Sequence, residues 1–283
     1  MVGVELSVIT KGRIPGGVKR EVANVLRDCY RRFGFAVPNM VEVQIVDREN
    51  TMRDFLKEEK FRLGITATGE EEFACSHDVW RGYPRIIICY DRLARLNKLA
   101  REGAVRHQSA HSVLHGSLEY SIFSVPDDCR RVAMIKGLDT AVLGQVLHYL
   151  SVAVKDCEAT RFLVKNDYIN CQVAFALELF QPSEEDKSTW KTVKTNRQAK
   201  FVYQIALLKP ILFTHPLLAL PKSKKISLNE QILLGRRVEE LVEYMEEAER
   251  NRLLQVANVI AEALTDDTHK NVDFAFIQVM NLA

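Results

Sequence analysis

β-type patterning occupies only the first part of this chain, and that asymmetry limits the folds open to it. Residues 2–10, 41–46, 71–79 and 85–90 alternate or run apolar as strands do. Among them, 17–35 carries apolar residues at helical spacing (Val18, Val22, Val25, Leu26, Tyr30, Phe33), and 49–63 reads as a helix ending near Gly64. From Asp127 onward β patterning nearly vanishes. Helices are expected there over 126–136, 139–164, 167–180, 183–209, 227–247, 250–264 and 271–282. Gln181-Pro182-Ser183 is a clean break with a cap-like Ser, and Pro221 to Lys225 reads as a basic linker. The expectation is an α+β chain. A lobe over 1–180 holds a small mixed sheet, and a mainly α-helical lobe follows over 181–283.

Composition narrows the partners. A net charge of +2 on 283 residues gives no case by itself for nucleic acid or a membrane surface. The six cysteines (29, 75, 89, 129, 157, 171) form no Cys-x-x-Cys pair. Three of them sit in apolar runs, which suits small buried residues in a reducing, cytoplasmic setting. No apolar leader of the secretory kind is seen. The most apolar window, 203–221, is interrupted by Lys209, Pro210, His215 and Pro216, so two buried helical pieces are expected rather than a membrane span.

The chemistry gathers in Val105-Arg-His-Gln-Ser-Ala-His-Ser-Val-Leu-His-Gly116. On a helix, His107 and His111 lie about 40° apart around the axis and one turn apart along it, so both imidazoles can reach one metal ion. His115 is two turns from His107, roughly 12 Å along the axis. It suits a capping or supporting role, with Gly116 as the helix stop.

This pattern resembles the His-Glu-x-x-His helix of zinc metallopeptidases, the zincins. There the two His hold Zn2+ and the Glu is the general base. A strand shortly before the helix is also what that fold supplies. The segment Lys155-Asp-Cys-Glu-Ala-Thr-Arg-Phe-Leu163 is similar to the second conserved helix of the gluzincins and of the compact ImmA/IrrE-like peptidases. The resemblance implies His107, His111 and Glu158 as metal ligands and position 108 as the base. It covers roughly 85–163. Beside it stand plainer readings: a chance His pair, an ion pair of Glu158 with Arg161 or Lys155, and Glu119 as either a ligand or a solvated loop residue.

One letter departs from the family. Gln108 keeps the shape of Glu but cannot take a proton near neutral pH. General acid–base catalysis is worth roughly 10²–10⁴-fold, so the chain as written is expected to be close to inactive as a peptidase. The near-isosteric exchange in an otherwise intact motif favours a Glu deliberately replaced over a natural pseudoenzyme. The resemblance implies a cytoplasmic zinc metallopeptidase, with its base missing, that binds an extended peptide or protein substrate along a strand edge. The alternative is a non-catalytic regulator using the same scaffold as a cradle. His148 and Tyr149, with Tyr168, flank Glu158 in sequence and could donate to an oxyanion. His77 could stand beside a bound peptide. Lys187, Lys191, Lys194, Arg197 and Lys200 form a basic stripe that can meet an acidic partner or nucleic acid, face solvent as such helix faces commonly do, or pair with the acidic run from Glu239 to Glu247.

Overall fold

The computed structural model describes residues 4–34, 37–64, 73–220 and 226–283. It is a mixed α/β structure with one small sheet and many helices, divided into two compact units. The first comprises Met1–Ser121 and Asn166–Phe175, the second Ile122–Lys165 and Ala176–Ala283.

The sheet belongs to the first unit. Strands β1 (Glu5–Lys11), β2 (Met40–Val46) and β4 (Arg85–Cys89) run parallel, and β3 (Cys75–Asp78) is antiparallel to β4, in the order β1-β2-β4-β3. Helix α1 (Gly16–Phe33) makes the crossover from β1 to β2, and α2 (Glu49–Leu63) follows β2. The central strands β2 and β4 are buried on nearly every residue, which explains their unbroken apolar runs. Residues 2–3, 35 and 71–72 of the expected elements lie outside the described residues.

Sequence patterning did not foresee the charged network beside this sheet. Glu59 of α2 accepts from Arg81 and from Arg85, whose side chain is fully buried. Arg85 also donates to Asp78 at 2.7 and 3.0 Å, and Glu42 accepts from Gln44, Arg81 and Tyr83. Each buried charge therefore has an opposite partner, without which its burial would be strongly unfavourable.

After the short α3 (Tyr90–Arg95) comes α4 (Lys98–Leu114), the histidine helix. Asn97 caps it, accepting from the Ala100 amide at 3.0 Å. It ends at His115, and a Cβ on Gly116 would stand 2.2 Å from the Ser112 carbonyl, so glycine is required at the exit. A 3-10 turn over Leu118–Ser121 follows.

The second unit is helical. Its centre is α6 (Thr140–Lys165), preceded by α5 (Asp127–Ile135). Around α6 pack α9 (Arg197–Ala206), α10 (Leu208–Leu218) and α13 (Thr268–Val279), and α10 also meets α11 (Leu228–Glu240) and α12 (Glu247–Ala263). Helix α7 (Ile169–Leu179) begins in the first unit and ends in the second. The expected division at residue 180 thus differs from the compact units. Helix α6 buries its apolar length among later helices, and this assigns it to the helical unit.

Two long expected helices are broken. The stretch 183–209 divides into α8 (Glu184–Val193) and α9, because Asn196 caps a new helix by accepting from the Ala199 amide. The stretch 227–247 stops at Glu240, and α12 restarts at Glu247. The break divides the basic stripe as well. Lys187 lies 3.8 Å from Glu243 and Lys200 2.8 Å from Glu249, so these lysines pair with acidic residues of their own unit. The apolar window forms the end of α9 and α10, two pieces as expected. Arg197–Leu218 is long and apolar enough to cross a membrane by length and composition, and 67% of its apolar window is buried inside the fold. The expected linker 221–225 lies outside the described residues.

Candidate functional site

Helix α4 packs against α1 on one side and against β3 and β4 on the other, and its second half is almost entirely buried. Tyr30 of α1 shares a 2.7 Å hydrogen bond with Ser112, and burial raises the Tyr30 pKa, so the phenol keeps its proton. On this rigid support His107 and His111 are 2% and 8% exposed. Their Nε2 atoms stand 3.1 Å apart. Two nitrogens each 2.0–2.1 Å from one tetrahedral ion are separated by about 3.3 Å, so the pair is spaced as two ligands of one metal ion would be. The helical spacing read from the sequence therefore does bring the two imidazoles together.

His115 stays out of that pair, as its axial distance requires. Its Nδ1 lies 3.0 Å from Nδ1 of His111, and its ring meets Tyr120 at 5.6 Å. It supports His111 through the ring nitrogen opposite the one that faces His107. On the other side of His107, Nδ1 lies 3.3 Å from Gln172 Oε1, and the Phe175 ring packs 5.9 Å away. His77 of β3 stacks on His111, with centroids 6.0 Å apart and planes within 15°.

Gln108 points toward the sheet edge. Its Nε2 donates to the Cys75 carbonyl of β3 at 3.3 Å. A carboxylate could not make that bond, since both groups would be acceptors. Among the described residues β3 pairs with β4 alone, so it is an edge strand of the sheet. Burial pushes the Cys75 thiol well up, so it stays protonated.

The remaining predicted residues fall elsewhere. Glu119 is exposed in the 3-10 turn and accepts from Ser117 at 3.0 Å. Tyr168 is in the first unit, donating to Asp28 at 2.9 Å. In the second unit, both oxygens of Glu158 are engaged. Asn271 donates to Oε1 at 2.6 Å and Thr268 to Oε2 at 2.8 Å. Arg161 donates to the carbonyls of Leu264 and Thr265, at 2.7 Å each, so this turn of α6 fastens the loop between α12 and α13. Asp156, two residues before Glu158, is also buried and lies 3.7 Å from Lys209. His148 and Tyr149 are exposed on α6, with rings 5.6 Å apart.

Sequence reasoning passed over Gln172, which lies in an apolar helix with no motif around it. Compared with known proteins, this chain matches no family model, no curated protein and no solved structure, so the functional reading rests on the geometry described above.

Proposed function

We propose that this chain is a zinc-binding protein built on a metallopeptidase plan, which as written holds the metal and an extended peptide without hydrolysing it. The observation that carries this reading is the pair of buried imidazoles on α4, with Nε2 atoms 3.1 Å apart beside an edge strand. His107 and His111, both buried in the first unit, would hold the ion from one helix. Glu158, the third ligand that the resemblance implies, already serves Asn271 and Thr268 with its two oxygens. A bound zinc would supply Lewis-acid polarisation of a carbonyl and a lowered pKa for water. Gln108 contributes hydrogen bonding only. With its amide on the Cys75 carbonyl it ties α4 to the strand that would receive the peptide by edge pairing. That bond favours glutamine as a residue fitted to its place, and so favours the binding reading over the hydrolase reading.

The test is metal analysis of the purified, desalted chain together with peptide binding. Near one equivalent of zinc is expected, lost in His107→Ala and His111→Ala and retained in Glu158→Ala. A folded chain that takes up no zinc on reloading would end this reading. Loss of the metal in a folded Glu158→Ala chain would restore the ligand set implied by the resemblance.

A further inference from the structure

The three histidines of α4 and Gln172 of α7 make one hydrogen-bonded row, and the row has a direction. It starts at the Gly103 carbonyl, which can only accept. Gln172 Nε2 donates to it at 2.9 Å, with Cys171 Sγ 3.9 Å from the same nitrogen. That fixes the amide's orientation and turns Oε1 toward His107 Nδ1 at 3.3 Å. An amide oxygen cannot donate, so His107 must carry its proton on Nδ1. With one proton per ring, His107 Nε2 is then an acceptor facing His111 Nε2 at 3.1 Å, and His111 donates. His111 Nδ1 in turn accepts from His115 Nδ1 at 3.0 Å.

We infer that Gln172 is the positioning residue of this site: it sets the tautomer of His107 and, through it, the direction in which the whole imidazole row carries its protons. Gln172 is fully buried, so water does not compete for its amide. Its placement depends on Gly103. A Cβ there would lie 2.1 Å from the Cys171 carbonyl and 2.8 Å from the Phe175 Cβ, so only glycine lets α7 come this close to α4. The consequence deepens the proposed function and rests on it: His107 keeps its proton on Nδ1 and so offers its Nε2 lone pair to an incoming cation once His111 gives up the proton it donates there.

The tautomer is directly measurable. In the metal-free full-length chain, long-range ¹H–¹⁵N correlation spectra report which ring nitrogen of each histidine is protonated. His107 is expected as the Nδ1–H form in the wild type. Gln172→Glu, which still offers an acceptor to Nδ1–H, should preserve that form. Gln172→Met, which offers none, should shift His107 toward Nε2–H and weaken zinc binding by roughly 10–100-fold at unchanged stoichiometry. A wild-type His107 protonated on Nε2 would overturn the inference without any variant, even if Gln172→Met failed to fold. An unchanged tautomer in folded Gln172→Met would overturn it as well. If the tautomer follows Gln172 but neither protein binds zinc, the role of Gln172 stands and the metal reading falls.

Discussion

Helices α4 and α6 each bury polar side chains in apolar surroundings, and they use them in different ways. On α4 the imidazoles are directed at one another and at Gln172, so a pair of ring nitrogens converges within a single helix and its immediate support. On α6, Glu158 and Arg161 are spent on fastening the segment from Leu264 to Asn271. A buried carboxylate is first satisfied by whatever donors the fold brings to it. The contrast shows why a histidine pair at helical spacing brings its ring nitrogens together by local geometry alone, while the partners of a lone glutamate in an apolar helix are chosen by the fold.

The sharpest way to break this contrast is at position 108. If α4 is a catalytic row lacking only its base, Gln108→Glu should raise zinc-dependent peptide hydrolysis by roughly 10²–10⁴-fold, mainly in kcat. Cleavage products from a peptide library, read by mass spectrometry with and without chelator, decide it. Peptide binding without cleavage in a zinc-loaded Gln108→Glu chain would make α4 a binding row only.

The next effect belongs to Glu158 of α6. Glu158→Ala should cost about 2–3 kcal/mol of stability, because Asn271 and Thr268 lose a charged acceptor. Urea unfolding should show that loss at unchanged zinc content. A stable variant that has lost its metal would mean that Glu158 belongs with the imidazoles after all.

On α4 the corresponding structural probe is Gly103→Ala. The added methyl group meets the Cys171 carbonyl at 2.1 Å, and relieving that clash should cost about 1–3 kcal/mol. A variant as stable as the wild type would show that α7 can withdraw freely, and the row's support would then be loose. The six thiols give a simpler check on packing. All are buried, with Cys29 pushed up to about 11 and Cys157 to about 12 by burial, so a thiol reagent at pH 8 should react only on unfolding.

The smallest effect belongs to the helical unit. Burial holds the His215 pKa below its ordinary 6.5, with Glu262 partly opposing the shift. The unfolded chain therefore binds the extra proton first. Stability should be full above pH 6.5 and fall as pH drops from there toward the folded value. His215→Leu should flatten that part of the profile, and an unchanged slope would assign it to other groups.

The chain's own pattern determined what is local. Helix α2 was legible to the residue, and α4 was legible from its apolar face, its histidine spacing and Gly116, because periodicity and caps act within a few residues. The helices 183–209 and 227–247 were misread as continuous, since Asn196 is a weak signal until its side chain is seen to accept from the Ala199 amide. What the tertiary structure alone decided is which distant groups meet. Gln172 reaches His107 across 65 positions, and Glu158 reaches Asn271 across 113. A hydrogen bond across such a span leaves no periodic trace in the sequence. Its partners are chosen by how helices pack, and here by one glycine that lets two of them come close.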